Sequence, residues 1–192
     1  MNYRQVDHIM SFICKKRHVR YGGCVTASKI CSVKLNTKTE IYYIVDVIPK
    51  HTAEIGHFTL LRTSPENIVY FDSYGNKLEF YNKKFKSFFK NAVKKNKTIV
   101  NLSIPLQSLD SLVCGLYSVM AADVLIKYGI NNFKSYVKRV YGGDNTRLND
   151  RRIMKVFYSL PQINTPPCKL TFCNNDRCER VCANIIRKKK KG

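Results

Sequence analysis

Acidic residues are scarce in this 192-residue chain, tryptophan is absent, and no apolar run is long. Thirteen Asp and Glu face 34 Lys and Arg, which gives a formal net charge of +21. The basic residues are spread along the whole chain, so no single tail explains the excess. A net charge of +21 is larger than solubility requires and favours a polyanionic partner, foremost nucleic acid. The apolar runs are far too short to span a bilayer, so we expect no membrane segment.

The start of the chain also lacks the apolar core of a secretory signal, and we expect no such signal. The eight cysteines are then expected to be thiols, metal ligands or a nucleophile rather than a disulfide framework. Apolar residues make up 44% of the chain, which is enough for a packed domain. We predict one domain over residues 1–165 and an appendage over 166–192, where cysteine, proline and lysine cluster.

Residues 1–165 mix strand-like and helix-like patterns, which predicts an α+β fold. Runs rich in β-branched residues predict strands over 40–48 and 98–104, each followed by a proline. Apolar residues at helical spacing predict helices over 5–17, 77–95 and 146–159, and a core helix from Ser111 to Gly129. Asp110 or Ser111 is expected to cap that core helix.

A hairpin is predicted where the runs HFTLL and IVYFD flank the turn-forming segment RTSPEN. With the turn centred on its Ser-Pro step, Phe58 would lie opposite Phe71, and His57 opposite Asp72. A register shifted by two residues would leave His57 and Asp72 diagonal on one face, whereas a shift of one would separate them. The hairpin alone fits a surface ion pair and two members of a catalytic triad equally well.

A third candidate member lies at the start of the core helix. Cys114 falls in its first turn, where the helix field favours a thiolate and a nearby imidazolium would lower the pKa of the thiol further. Gln107 lies seven residues upstream, where its amide can donate to an oxyanion together with the backbone N–H of Cys114. The alternative is that Cys114 is a small buried apolar residue, the usual role of free cysteine.

The order His, Asp, Gln, Cys, within GHFTLL, VYFDSYG and Q-x6-CGLY, resembles the adenovirus-type maturation cysteine proteases, the adenain family. The likeness spans residues 20–130 and extends to the wider clan of ubiquitin-like-protein proteases. It implies a papain-like or adenain-like α+β fold whose nucleophile helix packs on a mixed sheet, with additional helices. It also implies that Cys114 is the nucleophile, His57 the base and acid, Asp72 its orienting partner and Gln107 an oxyanion donor.

By this resemblance, the chain is expected to cleave viral or virus-like precursor proteins after glycine-ending motifs during virion maturation, in the virion and the host nucleus. The chemistry needs no cofactor, while DNA and a basic peptide are expected activators. Covalent attachment of that peptide is not expected, because the segment before Gln107 has no cysteine. Phe58 also stands where the family usually has tryptophan. Two alternatives stay open: a protease for a ubiquitin-like modifier, and a non-enzymatic DNA-binding or packaging protein.

Two further sets of residues are singled out by the sequence, and the chain is expected to be a monomer. Lysines on the helix predicted over 77–95 and just beyond it are expected to bind DNA phosphates without reading bases. These lysines are Lys83, Lys84, Lys86, Lys90, Lys94, Lys95 and Lys97. In the appendage, zinc binding, two disulfides and unconnected thiols stay open for Cys168, Cys173, Cys178 and Cys182, which lack paired CxxC spacing.

Overall fold

The computed structural model describes residues 3–35, 38–47, 56–81, 83–142 and 144–158. Helices and strands are mixed along this part of the chain, as predicted. None of the described helices is long and apolar enough to cross a membrane. In chain order the elements are α1 (Tyr3–Lys16), β1 (Arg20–Thr26), β2 (Ile41–Val47), β3 (His57–Thr63), β4 (Asn67–Phe71), α2 (Lys83–Lys94), β5 (Thr98–Asn101), α3 (Cys114–Tyr141) and α4 (Thr146–Tyr158).

The five strands form one mixed sheet in the order β1-β2-β3-β4-β5. The two inner pairings, β2 with β3 and β3 with β4, are antiparallel. The two outer pairings, β1 with β2 and β4 with β5, are parallel. Because α3, the helix that begins at Cys114, packs on the central strand β3, the expected α+β fold with a helix on a mixed sheet is confirmed.

Alternate residues of the central strands point to opposite sides of the sheet, and helices pack on both faces. Tyr42, Ile44 and Leu60 pack in the same cluster as the apolar residues of α1, α3 and α4. Tyr43 and Leu61 pack on the other face, in a cluster with Phe85, Phe88 and Phe89 of α2. The sheet therefore separates two apolar layers, with α3 in one and the lysine-rich helix α2 in the other.

The predicted hairpin forms, but its register is shifted by two residues. Leu60 pairs with Phe71, where the prediction placed Phe58. A shift of two residues keeps every side chain on its predicted face, so His57 and Asp72 stay on one face and lie diagonally rather than directly opposite.

The turn explains this shift. The Ser64 N–H donates to the Asn67 carbonyl at 2.9 Å, and the Asn67 N–H donates to Ser64 Oγ at 3.1 Å. These bonds close a four-residue turn with Pro65 at its second position, where the fixed φ of proline fits best. The turn is therefore centred one residue later than the Ser-Pro step.

Helix α3 differs from its prediction at both ends. It begins three residues after Ser111, and Val113 stands at the N-cap without a side-chain hydrogen bond. The prediction of a cap at Asp110 or Ser111 was wrong, and Asp110 instead pairs with Arg147 at 3.2 Å. Regular helix is interrupted at Gly129, as predicted, by a φ of 72° that glycine tolerates, but a second helical stretch follows to Tyr141.

Candidate active site

His57 and Asp72 are in direct contact at one end of the sheet. His57 Nε2 lies 2.8 Å from Asp72 Oδ1, and both side chains are almost fully buried. His57 is the first residue of β3, and Asp72 follows the last residue of β4. The hairpin therefore brings together the imidazole and the carboxylate that the sequence singled out.

The Asp72 carboxylate accepts more hydrogen bonds than the sequence suggested. Oδ1 also accepts the Tyr74 N–H at 2.8 Å, and Oδ2 accepts the hydroxyls of Tyr70, at 3.3 Å, and Tyr81. Burial acts to raise the pKa of Asp72, but the bonds from His57, Tyr81 and the Tyr74 N–H outweigh it and lower that pKa. Asp72 is thus held as a charged, fully bonded carboxylate.

Cys114 is the first residue of α3 and points its sulfur toward the start of β3. The Phe58 N–H lies 3.5 Å from Sγ, and the Ser118 hydroxyl donates to the Phe58 carbonyl at 3.0 Å. The first turn of α3 is thus hydrogen-bonded to Phe58, the residue that follows His57. Cys114 is 8% exposed, so the sulfur lies in a nearly water-free environment.

The imidazole of His57 contacts Asp72 and interacts electrostatically with Cys114. Because Nε2 faces the carboxylate, Nδ1 is the nitrogen available to the thiol, although Nδ1 makes no hydrogen bond of ordinary geometry to any described residue. Burial acts to lower the pKa of His57, but the bond to Asp72 and the negative charges of Cys114 and Asp72 raise it to about 9. Burial acts to raise the pKa of Cys114, but His57 and the Phe58 N–H lower it. Both shifts favour a thiolate–imidazolium pair.

Gln107 is buried close to these residues, but its amide is already bonded. Nε2 donates to Tyr74 Oη at 3.1 Å and to the Ser111 carbonyl at 2.8 Å. Oε1 accepts the Ser73 hydroxyl at 2.7 Å. A primary amide has two N–H bonds, so both are in use and neither points to an open oxyanion position in this conformation.

Tyr74 is a residue of the site that the sequence analysis missed. Its ring stacks on His57 with 4.5 Å between ring centroids and 30° between ring planes. Its hydroxyl donates to the Ser111 carbonyl at 3.3 Å and accepts from Gln107. Tyr74 lies in the VYFDSYG motif, two residues after Asp72, but the sequence analysis assigned a role in that motif to Asp72 alone.

Asp150 is a second buried carboxylate that the sequence did not reveal. It lies on α4 and accepts the backbone N–H of Ser108 at 3.2 Å, the Ser108 hydroxyl, and the Tyr117 hydroxyl at 3.0 Å. The Tyr117 hydroxyl also lies 3.2 Å from the Leu106 carbonyl. These bonds tie α4 to the segment that carries Gln107.

The lysines predicted to bind phosphate divide into two groups. Lys83, Lys84, Lys90, Lys94 and Lys95 are exposed, and Lys86 is half-buried. Lys97 is a correction to that set, because it is only 9% exposed and its Nζ donates to the carbonyls of Ser64, at 2.9 Å, and Pro65. Lys97 therefore stabilises the hairpin turn and is not available to a phosphate.

No group of three or more His, Cys, Asp or Glu in the described part of the chain is arranged to hold a metal ion. The four cysteines of the predicted appendage, Cys168, Cys173, Cys178 and Cys182, lie outside the described residues. Their state, and the boundary between 1–165 and 166–192, therefore stay predictions.

Comparison with known proteins finds no matching family profile and no matching curated protein. The fold is similar to that of the ASFV pS273R protease, with a TM-score of 0.50, 13% identity, and coverage of 79% of this chain and 65% of that chain. A second structure, AvrA delL154 with IP6 and CoA, aligns at a TM-score of 0.40 and 12% identity over 78% of this chain and 58% of that one. This chain spans less than two thirds of either protein, and the first likeness shows a shared fold.

Proposed function

We propose that this chain is a cysteine endopeptidase with Cys114 as nucleophile, His57 as general base and acid, and Asp72 as the residue that orients His57. One observation carries the proposal: the buried imidazole of His57 lies 2.8 Å from the Asp72 carboxylate, and the N–H of the next residue, Phe58, lies 3.5 Å from the Cys114 sulfur. The pKa of that thiol is lowered by His57. Burial without a cationic neighbour has the opposite effect, since it raises the pKa of Cys14 to about 12. The fold likeness to a protease supports the same reaction class.

In the proposed reaction the Cys114 thiolate attacks the carbon of the scissile carbonyl, and the carbonyl electron pair moves onto oxygen. The backbone N–H groups that begin α3 lie where they can donate to this oxyanion. The His57 imidazolium then gives its proton to the leaving amine as the C–N bond breaks, which leaves a thioester. Neutral His57 removes a proton from water, and the resulting hydroxide releases the acid and restores the thiolate–imidazolium pair.

Gln107 contributes to the oxyanion site in this proposal by exchanging one of its present acceptors for the substrate oxygen. The acceptor exchanged is the Ser111 carbonyl, 2.8 Å from Gln107 Nε2, because that carbonyl keeps the Tyr74 hydroxyl as a second donor at 3.3 Å. The bond from Gln107 to Tyr74 Oη, at 3.1 Å, is retained and keeps the amide aligned. A developing negative charge is a stronger acceptor than a neutral carbonyl oxygen, so the exchange favours the transition state over the ground state.

The decisive experiment measures cleavage of glycine-containing peptides by the full chain and by two cysteine variants. We expect Cys114→Ala to lower kcat/KM by at least about 10³-fold, because no other group supplies the nucleophile. Cys24→Ala is the matched control and is expected to retain activity, since Cys24 is also largely buried but has no contact with His57. Full activity in Cys114→Ala, with unchanged circular dichroism, would refute the proposal.

A biological role in virion maturation is part of the same proposal. It rests on the resemblance of the His, Asp, Gln and Cys motifs to the adenain family, which implies viral precursor proteins as substrates and the virion and host nucleus as the place of action. Incubation with precursor proteins and, separately, with fusions to ubiquitin-like modifiers discriminates this role from modifier removal. Cleavage of the fusions alone would assign the chain to the modifier proteases.

We also propose that DNA binds the outer face of α2 and stimulates the protease. Six lysines lie on this helix or directly after it, while Phe85, Phe88, Phe89 and Ala92 are buried in the core. The six are Lys83, Lys84, Lys86, Lys90, Lys94 and Lys95. None of the salt bridges among the described residues involves these lysines, so no acidic side chain in that part of the chain is paired with them. Such a face attracts a polyphosphate backbone without reading its sequence.

The contrast between exposed and buried lysines gives the DNA test an internal control. Replacing Lys90 and Lys94 by glutamine is expected to reduce the slope of log affinity against log salt by about 1.8, from two phosphate contacts of roughly 0.9 each. Lys97→Met is expected to leave this slope unchanged and to lower stability instead, because it removes two hydrogen bonds from the hairpin turn. A slope unaffected by the glutamine pair would remove α2 from the DNA-binding surface.

A further inference from the structure

The turn formed by residues 72–75 joins every group that the proposed chemistry uses apart from Cys114. Its first residue is Asp72, and its second, Ser73, donates its hydroxyl to Gln107 Oε1. The Ser73 carbonyl also accepts the backbone N–H groups of Leu106, at 2.8 Å, and Gln107, at 3.0 Å. The carboxylate and the amide are therefore parts of one hydrogen-bonded unit, although they are 35 residues apart in the sequence.

Tyr74 is the third residue of this turn, and its backbone is held by two contacts. Its N–H donates to Asp72 Oδ1 at 2.8 Å, and it forms an isolated bridge with Pro105. Gly75, which follows, has a φ of 75°, and a Cβ there would lie 3.0 Å from the backbone nitrogen of Pro105. A side chain at position 75 would be strained, so glycine permits the close approach that aims the Tyr74 ring.

We propose that Tyr74 is a positioning residue that sets the His57 imidazolium and the Gln107 amide relative to each other. Its ring lies against the imidazole at 4.5 Å, within the range in which an aromatic face attracts a cation. Its hydroxyl, at the far end of the same rigid side chain, lies 3.1 Å from Gln107 Nε2. One side chain therefore fixes the distance between the base and the oxyanion donor.

The two ends of the side chain have separable effects. The ring covers His57, which is 3% exposed, and so protects the His57–Asp72 bond from water while stabilising the charged imidazole. The hydroxyl holds Gln107 in the orientation from which its amide can turn to the oxyanion. Loss of the ring is therefore expected to change thiol acidity, whereas loss of the hydroxyl is expected to change turnover.

This inference rests on the proposed function, so the experiment measures thiol reactivity and peptide cleavage separately. The full chain and the variants Tyr74→Phe and Tyr74→Leu are alkylated with iodoacetamide across a pH range, and modification at Cys114 and Cys24 is quantified by mass spectrometry. Leucine keeps an apolar cover over His57 but has no π face, and phenylalanine keeps the face but has no hydroxyl. The values of kcat and KM for one peptide are measured in parallel.

For Tyr74→Leu we expect the alkylation midpoint of Cys114 to rise by roughly half a pH unit, because the imidazolium that favours the thiolate loses its aromatic partner. For Tyr74→Phe we expect an unchanged midpoint, and a kcat lowered roughly three- to tenfold at constant KM, because the Gln107 amide loses one partner. A control Tyr141→Phe, in the core beside Tyr117, is expected to change neither quantity.

The outcomes separate the two proposals. Wild-type Cys114 that reacts no faster than Cys24 at pH 7 would overturn the proposed function itself. Selective reaction of Cys114 together with a wild-type midpoint in folded Tyr74→Leu, or a wild-type kcat in Tyr74→Phe, would overturn the role of Tyr74 alone. The phenylalanine variant retains all packing of the ring, so it tests the proposal even if the leucine variant does not fold.

Discussion

Half-buried Cys24 and buried Cys114 lie in polar clusters of similar composition, but their thiol pKa values are shifted in opposite directions. The sulfur of Cys24 lies 3.3 Å from the Tyr21 hydroxyl, and its N–H donates to Asp7 at 3.3 Å. Burial raises the pKa of Cys24 to about 12, and the charge of Asp7 acts in the same direction. Cys114 is also buried and also has a tyrosine and an aspartate nearby, yet its pKa is lowered.

The position of the carboxylate explains the difference. Asp7 lies beside the thiol and disfavours the negative thiolate directly. Asp72 lies behind His57, so its charge stabilises the imidazolium, and the imidazolium stabilises the thiolate. In both clusters low polarity strengthens the electrostatic effect. Of these two thiols, the one whose pKa is lowered is the one beside an imidazole that is itself bonded to the acid.

The largest effect should come from removing that cation. In His57→Ala, Cys114 would resemble Cys14 and Cys24, with a pKa raised by burial. We expect iodoacetamide labelling of Cys114 at pH 7 to fall at least about 100-fold, since each unit of thiol pKa changes the thiolate fraction about tenfold. Labelling of Cys24 in the same sample is the internal control, and equal labelling of Cys114 before and after the substitution would contradict the comparison.

The next effect should come from neutralising the carboxylate behind His57. Asp72→Asn is expected to lower kcat/KM roughly 100-fold or more, because the imidazolium loses its charged partner. The wild-type rate should decline as pH rises past about 9, the raised pKa of His57, since the imidazolium proton is then lost. In the variant this decline should begin at lower pH, and a decline that stays near 9 would show that Asp72 does not raise the pKa.

A smaller effect is expected at the tyrosines that hold Asp72. Tyr81→Phe removes one hydrogen bond from the buried carboxylate and should lower the free energy of unfolding by about 1–3 kcal/mol in urea titrations. Tyr141→Phe removes a buried hydroxyl elsewhere and is the control. If Tyr141→Phe lowered the free energy of unfolding as much as Tyr81→Phe, the effect at Tyr81 could not be assigned to its bond with Asp72.

The same variant should also change stability in acid. The folded pKa of Asp72 lies below its unfolded value, so its contribution is present above about pH 4 and is lost as pH falls through the folded pKa. Tyr81→Phe brings the two pKa values closer together. The difference in stability between wild type and variant should therefore shrink as pH falls below 4, and a constant difference would exclude this origin.

The smallest effect should appear in the cluster around Cys24. Asp7→Asn removes the charge beside the thiol but leaves burial, which is the larger cause of the raised pKa. Alkylation of Cys24 at pH 8 is expected to rise less than tenfold, with cleavage activity unchanged. A rise as large as the fall predicted for Cys114 in His57→Ala would show that charge, not burial, dominates at Cys24.

Much of this architecture follows from local patterns in the sequence. Alternation of apolar residues predicted the hairpin, and helical spacing predicted α1, α2, α4 and the core helix within a few residues at most ends. The hairpin also placed His57 near Asp72, and this prediction tolerated the wrong register because a shift of two residues preserves the face of each side chain. The proline that decided the register was visible in the sequence, but the predicted turn was centred one residue too early.

Other features of the site depend on where distant segments meet. Tyr74, Gln107 and Ser111 form one set of bonds because the 72–75 turn packs on the segment before α3. Lys97 belongs to a run of lysines in the sequence, yet it is buried because β5 pairs with β4 beside the hairpin turn. Neither outcome follows from the residues next to Tyr74 or Lys97.

The resemblance to the adenain family implied the mixed sheet with a helix on it. The sequence by itself determined the mixture of strands and helices, the excess of positive charge, and the four residue types of the candidate site. Periodicity and composition carry this information because they depend on neighbours in the chain. Only the tertiary structure decided which nitrogen of His57 meets Asp72, what occupies the Gln107 amide, and which thiol becomes acidic. Those properties depend on burial and on contacts between separate segments of the chain, for which a single sequence contains no local signal.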